Sequence, residues 1–142
     1  MYLDTSVLVK LFVREPDSEF YGNLTNAQLV CSSVLAYTEV ASALLAKERA
    51  GGLRPEDRHR AWAAFERHVR EETLELLPLG PAIFRRATWI LEKCHPTVAL
   101  RSLDALHLAS ADQAQDWPLV SHDQRMRDAA AILGMSLSAL PK

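Results

Sequence analysis

The feature that most constrains the fold is an alternation of short apolar runs with longer segments of helical periodicity. Residues 1–4, 29–31, 74–77 and 118–121 have the length and composition of buried strands, and a helical segment follows each. Strands that alternate with helices in this way are typical of α/β proteins built around a mostly parallel sheet. The sequence therefore predicts an α/β fold with four such strands.

Capping residues, glycines and prolines predict where the helices begin and end. Ser32 or Ser33 is expected to cap a long helix that ends before Gly51, and Ser102 is a candidate cap for a later one. Prolines suit the first turn of helices from 55 and from 81. The remaining helices are expected at 6–13, 17–27, 102–113 and 123–133, followed by a last edge strand at 135–140.

The chain of 142 residues shows no internal boundary, so residues 1–142 are expected to form one domain. Its 16 basic and 18 acidic residues give a net charge of −2, which excludes a strong basic field for polyanions. No apolar run approaches a membrane span, no signal-peptide pattern begins the chain, and Cys31 and Cys94 are expected to be reduced thiols. These features predict a cytoplasmic protein without a membrane segment.

Four carboxylates occupy distinctive positions. Asp4 and Asp123 each follow a predicted strand and precede a helix, and Asp104 lies in the first turn of a helix. Helix capping accounts for the first two and the helix dipole for the third. Glu39 has mostly apolar or small neighbours on its helical face, so it needs an ion-pair partner or a bound cation.

Taken together, these acids indicate a metal site. The carboxyl ends of parallel strands meet at one edge of the sheet, where ligands bind in open α/β folds. Clustered carboxylates without a cation would have strongly raised pKa values, and a divalent ion removes that penalty. Oxygen ligands favour Mg²⁺ or Mn²⁺, and such ions activate water for phosphodiester cleavage.

Two other classes of α/β protein fit the first acid less well. Phosphatases of the haloacid dehalogenase type carry a second aspartate two residues after the first, where this chain has Ser6. Receiver domains place the phosphoacceptor later, with paired acids before it. Neither pattern is met by the single Asp4 near the start of the chain.

Four segments resemble the PIN-domain nucleases, and the length is close to that of the VapC-type toxins of prokaryotic type II toxin–antitoxin pairs. The segments are 2–6, 33–39, 103–109 and 121–123, and the resemblance covers essentially the whole chain in the right order. It implies a three-layer α/β/α fold, dependence on Mg²⁺ or Mn²⁺, and endonucleolytic cleavage of RNA. It also implies a homodimer or a hetero-oligomer with a neutralising antitoxin.

Position by position, the resemblance implies an acidic site of Asp4, Glu39, Asp104 and Asp123. Asp4 and Asp104 match the primary metal ligands, Glu39 completes or orients the site, and Asp123 is the more variable fourth acid. Ser6 matches a hydroxyl that supports the first aspartate. The residues after the fourth acid, Met126 and Arg127, depart from the pattern common in the family.

Basic residues in segments next to the acids are candidates for holding RNA phosphates, with solvated surface charge as the ordinary alternative. These candidates are Lys10, Arg14, Arg101, Arg125 and Arg127.

His107 and His122 adjoin acids and are interpreted as local hydrogen-bonding groups, because water activated by a metal needs no histidine base.

Two alternatives to a toxin stay open from the sequence. One is an RNA-processing or structure-selective nuclease of the same family that has no antitoxin. The other is a degenerate domain that only binds a partner, against which the presence of Ser6 and all four acids counts. No motif that reads bases is visible, so the sequence does not indicate an RNA target.

Overall fold

The computed structural model describes residues 1–142 and contains four strands and seven helices. In chain order the elements are β1 (Tyr2–Leu3), α1 (Thr5–Phe12), α2 (Ser18–Thr25), β2 (Val30–Ser33), α3 (Ala36–Arg49), α4 (Pro55–Arg70), β3 (Leu74–Leu77), α5 (Pro81–Cys94), α6 (Ser102–Ala114), β4 (Leu119–Val120) and α7 (Gln124–Ile132).

All strands of the sheet run parallel, in the order β3-β2-β1-β4. The first strand therefore lies inside the sheet, with Tyr2 beside Cys31 on one side and Leu119 on the other. Because the strands are parallel, the residues that follow β1 and β4 leave the same edge of the sheet. This edge carries Asp4 and Ser121.

Helices cover both faces of the sheet, which confirms the predicted three-layer arrangement. Successive strand residues point to opposite faces, so Tyr2 and Leu119 pack with α5, α6 and α7 in one hydrophobic cluster. Their neighbours Leu3 and Val120 pack with the first four helices in a second cluster. The sheet is thus buried on both sides, as parallel sheets require.

The predicted edge strand at 135–140 is wrong in extent, since the segment forms only one parallel bridge, between Leu119 and Leu137. Backbone hydrogen bonds link Leu119 to Ser136 and Ser138. Beyond them, the carbonyl oxygens of Ser121 and Ser138 accept hydrogen bonds from the Arg127 side chain. The Arg127 guanidinium therefore occupies carbonyl oxygens that would accept backbone hydrogen bonds if the strand pairing were longer.

The predicted serine caps are also wrong. Ser32 and Ser33 belong to β2, because their backbone pairs with Leu76 and Leu77 and stays extended. Helix α3 begins at Ala36, and the Ser33 hydroxyl instead accepts a hydrogen bond from the backbone N–H of Leu35.

At the start of α6, Arg101 takes the cap position that Ser102 was expected to fill, and the Asp104 carboxylate accepts a hydrogen bond from the Arg101 backbone N–H.

Both cysteines are buried free thiols, as expected. None of the helices combines the length and the apolar character that a membrane crossing needs.

Candidate active site

A cavity of about 580 Å³ opens at the carboxyl edge of the sheet. Helix starts and one helix face bring the predicted acids to it from four separate segments of the chain. Its lining includes all four acids and two of the candidate cations, together with the hydroxyl expected to support the first acid: Asp4, Glu39, Asp104, Asp123, Lys10, Arg101 and Ser6.

Asp4 is held at the base of this site by neutral donors. It caps α1, and its Oδ1 accepts hydrogen bonds from the Val7 backbone N–H at 3.1 Å and the Ser6 hydroxyl at 2.6 Å. Its Oδ2 accepts a hydrogen bond from the Ser121 hydroxyl. Asp4 is 3% exposed, and this burial raises its pKa against the opposing effect of the two serines. A cation in the cavity would relieve that penalty.

Glu39 lies on α3, and its carboxylate is hydrogen-bonded to the side chain of His107. Its Oε1 lies 2.6 Å from His107 Nε2 and accepts a hydrogen bond from the Thr5 hydroxyl at 3.1 Å. Burial raises the pKa of Glu39, but its hydrogen bonds to His107 and Thr5 outweigh this effect and hold the pKa below its ordinary value. The carboxylate is therefore ionised near neutral pH.

Asp104 and Asp123 share one guanidinium. Arg101 donates from Nε to Asp104 Oδ2 at 2.9 Å and from Nη2 to Asp104 Oδ1 at 3.3 Å. The same Nη2 lies 3.3 Å from Asp123 Oδ2. Asp123 also caps α7 by accepting hydrogen bonds from the backbone N–H groups of Arg125 and Met126. Arg101 thus links the start of α6 to the start of α7.

The acids suit a divalent metal in donor type and charge, because four carboxylates line the cavity and Arg101 bonds only two of them. In the present arrangement no group of three or more acidic, histidine or cysteine side chains is close enough to hold one ion. Arg101 occupies the position between Asp104 and Asp123 that such an ion would compete for.

The candidate phosphate-binding cations have different surroundings. Lys10 lines the cavity but forms ion pairs with Glu15 and Asp17, each at 2.8 Å. Arg125 does not line the cavity, but its Nε lies 3.9 Å from Oδ1 of Asp123, which does. Arg14 is exposed and lines a separate cavity, so the structure does not bring it to the acidic site.

Several contributors to the site were missed from the sequence. Lys47 lines the cavity and pairs with Glu15 at 2.6 Å, and nothing in its helical pattern distinguishes it from a surface lysine. Thr5 and Ser121 had a detectable signal, because each is a hydroxyl residue beside or near a predicted acid. His107 is a hydrogen-bonding group as predicted, although its partner Glu39 lies 68 residues away.

The fold and the site define an α/β protein with a carboxylate-lined cavity where parallel strands end. The sequence profile described as the PIN domain matches residues 1–132. The chain therefore belongs to the PIN-domain family, and the resemblance found in its motifs is confirmed.

Curated relatives support the same family. The chain is 37% identical over 142 residues to Ribonuclease VapC46 of Mycobacterium tuberculosis, covering 98% of this chain and 96% of that protein. It is 30% identical over 155 residues to Ribonuclease VapC35 of the same species, with the same coverage. These relatives span nearly the whole chain.

One similar solved structure is a toxin–antitoxin complex from Klebsiella pneumoniae, with a TM-score of 0.58 and 14% sequence identity. The match covers 86% of this chain and 85% of that one. At this identity it supports the fold alone.

Proposed function

We propose that this protein is a metal-dependent endoribonuclease and the toxin of a toxin–antitoxin pair. The observation that carries the proposal is the convergence of Asp4, Glu39, Asp104 and Asp123 on one cavity in a PIN-domain chain. The curated relatives are named ribonucleases, which supports RNA as the substrate. Residues 1–142 are proposed to act as one domain in the cytoplasm.

Each acid has a proposed role at the metal. Asp4 and Asp104 are the primary ligands of Mg²⁺ or Mn²⁺, and Glu39 and Asp123 complete the site. When bound, the ion lowers the pKa of water and stabilises the charge that develops on the scissile phosphate. Ser6 and Ser121 fix the orientation of the Asp4 carboxylate through their hydroxyl groups. Asp123 is oriented by the backbone at the start of α7.

Basic residues around the cavity are proposed to hold flanking RNA phosphates. The side chains of Arg101 and Arg125 are 59% and 44% exposed, so both are accessible to a substrate beside Asp123. Lys10 and Lys47 form the opposite part of the lining with Glu15 between them. Since Arg14 lines another cavity, it is not retained in this role.

The proposed protein partner is a cognate antitoxin, and the chain is proposed to form a homodimer or a toxin–antitoxin hetero-oligomer. Support comes from the curated relatives, which carry the VapC name of the toxins that this chain resembles. We expect this chain to co-purify with the product of a short adjacent reading frame. We also expect the resulting complex not to cleave RNA. An active nuclease with no such neighbour would instead favour the RNA-processing alternative.

The decisive test of catalysis compares Asp4→Asn and Asp104→Asn with Asp57→Asn, which alters an aspartate paired with Arg54 and Arg60 outside the cavity. Cleavage of total RNA in Mg²⁺ or Mn²⁺ is expected to fall about a hundredfold or more in the first two variants, because each removes a metal ligand. The control should retain activity. Wild-type cleavage by Asp4→Asn would overturn the mechanism.

A fold control is built into this experiment. Asn caps helices as well as Asp does, and Asp4→Asn removes a buried charge whose pKa is raised by burial. Its melting temperature without metal is therefore expected to equal or exceed that of the wild type. A loss of cleavage with this result reports on chemistry and not on folding.

The partner-binding alternative is favoured by the present arrangement of the cavity: Arg101 bonds two of the acids, and no three candidate ligands are close enough to hold one ion. Calorimetry with Mn²⁺ separates the two functions. The proposed nuclease is expected to bind the ion at millimolar concentration or below, with the acid variants weakened. Absence of binding by the wild type would favour a non-catalytic domain.

A further inference from the structure

A chain of hydrogen bonds runs from the buried Tyr2 through His107 to Glu39, and His107 also lines the acidic cavity. The Tyr2 hydroxyl lies 2.9 Å from His107 Nδ1, and His107 Nε2 lies 2.6 Å from Glu39 Oε1. The chain crosses from β1 through α6 to α3, and Tyr2 and His107 are 0% and 2% exposed. Water therefore has little access to these bonds.

The chemistry of the three groups assigns the protons for the neutral form of His107, in which one ring nitrogen donates and the other accepts. A carboxylate oxygen only accepts hydrogen bonds, so His107 Nε2 must carry a proton to bond Glu39. In the neutral ring Nδ1 is then an acceptor, and Tyr2 donates its hydroxyl proton to it.

The two carboxylate oxygens of Glu39 differ in the hydrogen bonds that they accept. Oε1 accepts from both His107 and Thr5, whereas Oε2 accepts no hydrogen bond in the structure. Because Glu39 lines the acidic cavity, Oε2 is the oxygen available to a ligand there. Donors that orient a metal-binding carboxylate commonly matter about 10- to 100-fold in metal affinity or activity.

We propose that Tyr2 and His107 are positioning residues that fix Glu39 so that its Oε2 alone is offered to a divalent cation. This inference rests on the proposed function, since it takes the cavity to be a cation site. Tyr2 selects the ring tautomer of His107, His107 holds Oε1, and neither residue touches the ion or the RNA.

Tyr2→Phe tests the chain at its far end, and the protein supplies a matched control. Tyr21 is also fully buried, and its hydroxyl lies 3.1 Å from Nδ1 of a different histidine, His122, which does not bond Glu39. Tyr2→Phe is expected to weaken Mn²⁺ binding in calorimetry about tenfold. Tyr21→Phe is expected to bind Mn²⁺ like the wild type.

Nitrogen-15 NMR spectra of the imidazole rings report which ring nitrogen carries the proton, and a merely structural role of Tyr2 would not change this. The wild type is expected to show His107 protonated at Nε2, and Tyr2→Phe to gain a population protonated at Nδ1. A wild-type ring protonated at Nδ1 alone would overturn the proposal without any variant. Unchanged tautomer and unchanged Mn²⁺ affinity in Tyr2→Phe would overturn it as well.

Substitution of His107 provides a second route if Tyr2→Phe does not fold. In His107→Gln the side-chain amide can replace the Nε2–H donor, so Mn²⁺ affinity is expected to stay within about threefold of the wild type. His107→Leu has no donor and is expected to lose about tenfold or more. Equal Mn²⁺ affinities for these two variants would contradict the proposal.

The failure of this proposal is distinguishable from that of the nuclease function. If the tautomer and Mn²⁺ results are as expected while the wild type cleaves no RNA, Tyr2 and His107 still position Glu39 at a cation site, and only the assigned reaction is wrong.

Discussion

At the residue scale, Arg101 and a divalent ion compete for the same two carboxylates. Its guanidinium bonds Asp104 through both carboxylate oxygens and also reaches Asp123. The same two carboxylates are the proposed partners of a divalent ion. Binding of the ion and retention of these hydrogen bonds therefore compete, and a ligand can shift this balance only through its differential affinity for the two arrangements.

We expect Arg101→Ala to bind Mn²⁺ about three- to tenfold more tightly than the wild type in calorimetry, since the ion no longer displaces a guanidinium. Arg125→Ala is the matched control. It removes a positive charge 3.9 Å from Asp123 that makes no side-chain hydrogen bond to it, so its effect is expected to be smaller. Weaker Mn²⁺ binding by Arg101→Ala would show that Arg101 supports the ion site.

The location of the acids could be predicted from the sequence, whereas their contacts could not. Asp4 and Asp123 follow strands, and this local pattern places both at one edge of a parallel sheet. The hydroxyl that bonds Asp4 Oδ2 comes from Ser121, 117 residues further along the chain. Such a contact depends on the order of strands, which a local pattern does not contain.

A network of charges beside the site joins helices α1 and α3 to the connection between α1 and α2. Lys10 of α1 pairs with Glu15 and Asp17 in the connection to α2, and Lys47 of α3 pairs with Glu15. The Lys10 side chain is only 11% exposed, so these pairs are partly shielded from water. The network fixes the connection between α1 and α2 against α3.

This network predicts a pH dependence of stability. Burial raises the pKa of Glu15, but its hydrogen bonds to Lys10 and Lys47 lower it overall, and the bond to Lys10 lowers the pKa of Asp17. Because the folded pKa values lie below the unfolded ones, the stabilisation is complete above the ordinary carboxyl range. It is lost as the pH falls through the lowered values.

Lys10→Met should therefore reduce the free energy of unfolding by about 1–2 kcal/mol at pH 7 and by less at pH 3, because Asp17 loses its lysine partner and Glu15 keeps only Lys47. Urea unfolding followed by circular dichroism across this range measures the effect. Lys93→Met, at an exposed position near the end of α5, serves as the control. An equal loss at both pH values would mean that Lys10 contributes packing and not charge.

At the scale of elements, helix starts marked by proline were easier to predict than the lengths of strands. Pro55 and Pro81 begin α4 and α5 as expected, because a first-turn proline is a local signal. The edge strand at 135–140 failed because its length depends on which acceptors Arg127 takes from another segment. Ser33 was misassigned because its pairing with Leu77 of β3 outweighs its preference for a helix cap.

At the scale of the whole molecule, charge limits how RNA can be held. Setting aside the four acids of the cavity leaves 14 acidic against 16 basic residues. Many of the basic side chains form ion pairs within the chain, including Lys10, Arg58 and Arg86. Outside the cavity the basic residues exceed the acidic ones by only two, so the proposed substrate is held by the cation site and a few neighbouring side chains.

This distribution predicts a shallow salt dependence. Single-stranded nucleic acids lose affinity with a slope of about −0.7 in log K against log salt for each phosphate contact, so two or three contacts give about −1.5 to −2. Half-saturation for cleavage of a short RNA, measured from low to moderate KCl at fixed excess Mg²⁺, reports the slope. Lys47→Ala should make this slope less negative by about 0.7. Arg14→Ala, which lies outside the acidic cavity, should leave the slope unchanged. A slope steeper than about −4, or an equal effect of the two substitutions, would require a binding surface that extends well beyond this cavity.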